Sequence, residues 1–290
     1  MLPDFLIVGA SRAGTSTLHH ILRSSGQVHM PADKELHFFS DDRRFIRGME
    51  WYESQLGEGS GQIVGEASPP YFHRGILLDS KGKHKWREDD DAPARAVAML
   101  PNAKIVISLR NPVHRAQSQF WKSVWQGRET ASNFDQAVIE ELVGERPPQR
   151  TPLCWLHKNT YSVHVSRWLE LFGQDRVLLL TFERWTRDPG ESMGRLEQFL
   201  DLPADCLPRE VKAVDHRNSG RHLLPGMRLV IRLGRRVRLV RSFVRRFGTR
   251  SGYPEVSPKT AKDLQDYFRR DVEQLEQFTG CDFSIWGFER

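Results

Sequence analysis

Apolar residues recur along the chain in two rhythms. Short continuous runs, rich in β-formers, occupy residues 5–8, 63–66, 105–109 and 177–182, the pattern of strands buried on both faces. Between them apolar positions repeat at helical spacing: Leu18, Ile21 and Leu22; residues 94–100; Val165, Trp168, Leu169 and Phe172; residues 193–200; and residues 264 onward. Strands alternating with helices predict an α/β fold, a mostly parallel sheet flanked by helices on both faces. A length of 290 residues suits a single domain over residues 1–290. Residues 79–95 break the rhythm with dense charge and read as a solvated loop.

The first strand leads into Gly9-Ala-Ser-Arg-Ala-Gly-Thr-Ser-Thr-Leu18. A strand, a glycine turn and a helix start together make an anion site, because unpaired N–H groups and the helix dipole face whatever sits there. The glycine spacing approaches the nucleoside-triphosphate loop Gly-x-x-x-x-Gly-Lys-Ser/Thr, but Thr15 holds the lysine position and the cation stands at Arg12. Thr15, Ser16 and Thr17 supply hydroxyls in a row. This suits a 5′-phosphate bearing one further anionic group, with no metal required. The sequence here resembles the 5′-phosphosulfate loop of the sulfotransferases that use 3′-phosphoadenosine 5′-phosphosulfate (PAPS). The resemblance assigns Arg12, Ala13, Gly14, Thr15, Ser16 and Thr17 to that loop, with Arg12 where many members carry lysine.

A second phosphate site follows the strand at 105–109. Arg110 stands at its carboxyl end, where open α/β sheets bind ligands; Pro112 suits a helix start, and Ser118 falls within the helix. Strand-Arg-Asn-Pro-x-x-Arg-x-x-Ser-x-Phe resembles the sulfotransferase 3′-phosphate motif, which implies that Arg110 and Ser118 hold that phosphate; Arg115 reads as a brace for the turn. Phosphates at both ends of a ribose describe the adenosine 3′,5′-bisphosphate (PAP) core of the donor. The implied architecture is the P-loop-like sulfotransferase fold.

Lys34-Glu-Leu-His-Phe-Phe39 and the later Trp51-Tyr52 resemble the heparan sulfate sulfotransferase branch. That resemblance makes Glu35 the base that deprotonates the acceptor, with His37 as the local competitor and Lys34 beside the transferred group. Glu66-Ala-Ser-Pro-Pro-Tyr-Phe72 resembles a segment lining the same site, but Ala67 stands where the branch has lysine, and Lys34 and Arg12 are the nearest replacements by motif. Tyr71, Trp121 and Trp125 are candidates for acceptor contact; for the two tryptophans packing is the preferred reading. A late basic loop, with Arg217, Ser219, Gly220 and Arg221, is expected to close over the nucleotide. The end of the chain repeats the family's spacing at Tyr267, Asp271, Val272, Leu275, Gly280 and Trp286.

Composition narrows the partners. A net charge of +6 and a pI near 9.4 favour acidic ligands. Nothing points to nucleic acid, and no apolar run approaches the roughly 20 residues of a membrane span. The first strand begins too early to leave room for a signal peptide, and Cys154, Cys206 and Cys281 fit no disulfide framework, so a cytoplasmic home is expected. Residues 225–250 form a basic amphipathic stretch, for which packing on the domain is preferred over membrane contact. The sequence therefore predicts sulfuryl transfer from PAPS, without a metal, to a hydroxyl or amine of a glycan, lipid or small-molecule acceptor. The alternatives are a P-loop-like small-molecule kinase and a catalytically weak nucleotide-binding protein.

Overall fold

The computed structural model describes residues 1–57, 63–78, 84–86, 90–129, 131, 133–145, 156–210, 221–223 and 247–288, with isolated positions at Met227, Val230, Val240 and Val244. The contacts group the chain into two compact units. The first comprises Met1–Asn111, Tyr161–Val214 and Asp271–Arg290; the second comprises Pro112–Thr160 and Asp215–Arg270.

The first unit holds a five-stranded parallel sheet: β1 (Phe5–Gly9), β2 (Val28–His29), β3 (Ile63–Ala67), β6 (Lys104–Leu109) and β7 (Val177–Thr181), in the order β2-β3-β1-β6-β7. Phe5 of β1 pairs with Gly65 of β3 on one side and Lys104 of β6 on the other. The chain thus builds one side of β1, then crosses to the other, and the order reverses beside β1. Open parallel sheets bind ligands beyond the carboxyl ends of their strands at such a reversal.

Alternation along the strands feeds two cores. Leu6, Val8, Ile105, Ile107 and Leu179 face Tyr52 of α3 (Gly48–Leu56), Ala96 of α4 (Ala92–Met99), Trp168 of α7 (Ser162–Phe172), and Leu275 and Trp286 from the C-terminal segment. Phe5, Ile7, Val106, Leu178 and Leu180 face Leu18 and Leu22 of α1 (Thr15–Ser24), Trp185 of α8 (Phe182–Arg187) and Leu196 of α9 (Pro189–Phe199). Helices therefore cover both faces of the sheet, as the apolar rhythm predicts. The expected loop over residues 79–95 is corrected in its described parts. β4 (Ile76–Leu78) and β5 (His84–Trp86) pair antiparallel, and Asp91 caps α4 by accepting from Ala94 N at 3.0 Å. The short helix α2 (Asp42–Phe45) precedes α3.

The second unit contains α5 (Pro112–Trp125), α6 (Phe134–Leu142) and the antiparallel pair β8 (Arg221–Leu223) and β9 (Thr249–Ser251). The long C-terminal helix, Pro258–Thr279, passes from the second unit into the first after Arg270. Among the described residues no helix is long and apolar enough to cross a membrane.

Candidate active site

The glycine loop is fastened from below. Ala10 N donates to Ser108 O at 2.7 Å, Ser108 Oγ donates to Ala13 O at 2.7 Å, and Trp185 Nε1 donates to Ser108 Oγ at 3.0 Å. Gly14 ends the loop as the N-cap of α1 at φ +82°, and an added Cβ would lie 2.3 Å from the Trp185 ring. Having no side chain, it leaves the first turn of α1 uncapped, and that turn carries no acidic residue. Arg12 sits in the left-handed region at φ +74°. Such a conformation is costly for a residue with a side chain and persists where the surroundings enforce it.

Arg110, at the end of β6, donates from Nη1 to Arg12 O at 3.2 Å, and its guanidinium lies 4.9 Å from the Phe182 ring centroid. Its own carbonyl accepts from Tyr161 Oη at 2.6 Å. The next residue is gripped twice: Asn111 N donates to Glu183 Oε1 at 2.9 Å and Asn111 Nδ2 donates to Trp286 O at 3.0 Å. Trp286 Nε1 donates in turn to Glu183 Oε2 at 2.9 Å. The arginine thus stands on a corner braced by three distant parts of the chain.

The acceptor-side motif meets the anion loop through Lys34. Its Nζ donates to Ser16 Oγ at 2.8 Å and Thr15 Oγ1 at 3.2 Å, and lies 3.4 Å from Glu35 Oε1. Glu35 Oε2 is 3.5 Å from His37 Nε2. Glu35 and His37 both have positive φ, +69° and +54°. Their amides are tied to the end of β3: Glu35 N donates to Ala67 O at 3.1 Å, and His37 N donates to Ser68 Oγ at 3.1 Å. Beneath them lies Glu66, fully buried, which accepts from Tyr52 Oη at 2.9 Å and from Ser68 Oγ. Burial pushes the Glu66 carboxyl up against the pull of those hydrogen bonds, and burial beside Glu66 pushes the Tyr52 and Tyr71 phenols well above their usual range.

Within the first unit, Arg12, Ala13, Gly14, Thr15, Ser16, Thr17, Lys34, Glu35, His37 and Arg110 are therefore gathered. Tyr71 is fully buried, edge-on to Phe39, in the core beneath the site. In the second unit Ser118 is buried on α5 with its Oγ 3.3 Å from Tyr253 Oη. Arg115 is fully buried and donates from Nη1 to Lys158 O at 3.0 Å, a structural brace. Trp121 lies parallel to Tyr253, and both Trp121 and Trp125 are buried, in keeping with packing. Arg217, Ser219 and Gly220 lie outside the described residues, as does most of residues 225–250, and Arg221 is described only as the start of β8. Sequence reasoning missed Ser108, Trp185, Tyr161, Glu183 and Glu66 as supports. A lone serine inside the apolar run of β6 was the readable signal, since a buried hydroxyl needs partners.

A family model described as the sulfotransferase domain matches residues 2–282. The chain belongs to the sulfotransferase family. The family draws its sulfuryl group from PAPS, and this sulfotransferase is accordingly an enzyme of group transfer. It is 28% identical over 290 residues to the human protein named heparan sulfate glucosamine 3-O-sulfotransferase 6, covering 98% of this chain and 74% of that one. It is 27% identical over 214 residues to the bifunctional heparan sulfate N-deacetylase/N-sulfotransferase 1 of Caenorhabditis briggsae, covering 70% of this chain and 23% of that one. Among solved structures, a sulfotransferase from Alicyclobacillus acidocaldarius matches with a TM-score of 0.69 at 26% identity, covering 99% of both chains. The fold is that of the sulfotransferases.

Proposed function

We propose that this sulfotransferase sulfates a hydroxyl or amine of a glycan, with Glu35 as the base and the Gly9–Leu18 loop as the seat of the donor. The observation that carries the reading is the position of Lys34 Nζ, within reach of the Ser16 and Thr15 hydroxyls on one side and the Glu35 carboxylate on the other. Base and anion loop thereby share one cation inside one unit. The donor set fits PAPS: an uncapped helix start without a carboxylate, three adjacent hydroxyls, and Arg12 and Arg110 joined through the Arg12 carbonyl. When bound, PAPS supplies a sulfuryl group whose bond to the 5′-phosphate oxygen breaks as the acceptor attacks sulfur. Glu35 takes the acceptor proton, and Arg12 and Lys34 hold negative charge on the loop side, Lys34 serving where Ala67 lacks the branch lysine. Arg110 holds the 3′-phosphate, and Ser118 is assigned to it by the sequence motif alone. The names of the heparan sulfate relatives support a sugar acceptor over a lipid. The few, widely spaced cysteines, Cys154, Cys206 and Cys281, support a reducing, cytoplasmic setting.

The test is a thermal melt with saturating PAP beside 5′-AMP, on the wild type and Arg110→Ala. At a ligand concentration about 100 times Kd the bound form gains roughly 2.7 kcal/mol, a shift of several degrees. PAP alone should shift the wild type, and Arg110→Ala should lose the shift. A shift by ATP with magnesium and none by PAP would replace this reading with the kinase.

A further inference from the structure

We propose that Glu66 is a positioning residue for the base, holding the Glu35–His37 backbone through Ser68 so that the Glu35 carboxylate stays beside Lys34 and the anion loop. This rests on the reading of Glu35 as base. Glu66 sits at the end of β3, fully buried, where a hydrophobe of similar size would cost the fold less than a carboxyl group. What the carboxyl adds is direction. It accepts from both Tyr52 Oη and Ser68 Oγ, so the Ser68 proton is committed to it and the Ser68 lone pairs are left facing His37 N at 3.1 Å. One residue earlier in the strand end, Ala67 O receives Glu35 N. Alternate amides of the motif are thus fixed to consecutive residues of one strand end, with Leu36 buried between them. Glu35 and His37 both occupy the left-handed region, which side chains seldom adopt unless held. Arg44 adds a clamp from the other side, donating from Nη1 to Glu35 O at 3.3 Å and to Leu36 O.

The experiment compares the wild type with Ser68→Ala, Tyr52→Phe and Glu66→Gln. It reads amide hydrogen exchange over residues 34–39, the PAP-induced melting shift, and steady-state transfer from PAPS to heparan sulfate. For Ser68→Ala, exchange should quicken about tenfold and kcat should fall by about one to two orders of magnitude, with KM for PAPS and the PAP shift unchanged. Tyr52→Phe, which leaves Ser68 in place, should give a smaller change in the same direction. Ser68→Ala and Tyr52→Phe carry the test even where Glu66→Gln does not fold. Unchanged exchange with unchanged kcat overturns the proposal, as does a loss shared equally by kcat and KM for PAPS. Failure of the wild type to bind PAP would instead overturn the sulfotransferase reading of the site, while the exchange data would still decide whether Ser68 and Glu66 hold residues 35–37.

Discussion

The Glu35 carboxylate lies between the Lys34 ammonium and the His37 ring, at 3.4 and 3.5 Å. Replacing it by the near-isosteric amide removes the proposed base and leaves the anion loop intact. Glu35→Gln should therefore lower sulfuryl transfer about 10²- to 10⁴-fold while the PAP-induced melting shift persists; equal loss of both would reassign Glu35 to binding. His19 on α1 carries a second expectation. Its Nε2 meets Pro31 O at 3.2 Å, and burial holds its pKa below the ordinary histidine value of about 6.5. A depressed histidine favours the neutral folded state, so its contribution is present above that value and is lost as pH falls through the folded pKa. Melts from pH 7.5 down to 5 should lose less stability in His19→Asn than in the wild type. At this scale the motifs singled out Glu35, Lys34 and Arg12 as candidates. The left-handed backbone at Arg12, Glu35 and His37 was illegible, since a positive φ at an arginine, a glutamate or a histidine leaves no mark in residue type.

The loop between β1 and α1 shows how one element leans on another. Gly14→Ala would place a methyl group against the rigid Trp185 ring and demand a left-handed alanine. The conformation costs about 1–2 kcal/mol and the overpacking about 1–3 more, so the variant should melt several degrees lower and lose the PAP shift. The corner after β6 makes a parallel case. Glu183→Ala would strip the Asn111 amide and the Trp286 indole of their shared acceptor, at about 1–3 kcal/mol for the buried groups left unpaired. PAP affinity should fall with stability, because Arg110 stands on that corner; a melt loss with unchanged affinity would limit Glu183 to folding. Four of the five strands of the parallel sheet and most of the longer helices were legible because apolar period reports burial directly, whereas β2 and the antiparallel pairs, only two or three residues a strand, carry no such run. The braces were not: Glu183 and Trp286 are far from Arg110 in sequence, and only the fold makes them neighbours.

On the scale of the whole chain, the last residues complete the first unit. Asp271 accepts from Tyr161 N at 2.6 Å and Ser162 N at 3.0 Å, capping α7 from a remote helix, while Phe283 and Trp286 enter the core. A chain ending after Thr279 should lose cooperative melting together with PAP binding, measured by calorimetry. The terminal pattern seen in the sequence was thus a record of docking, whereas Asp271 as a cap for another helix could be found only in three dimensions. Left-handed backbone at Arg12, Glu35 and His37 finally sets two kinds of selection against each other. A variant library enriched only for survival of heat should drift toward glycine at these positions, where the strain would vanish. The same library enriched for sulfated product should keep the side chains. Positions where the two enrichments diverge would outline the catalytic centre without any knowledge of its acceptor.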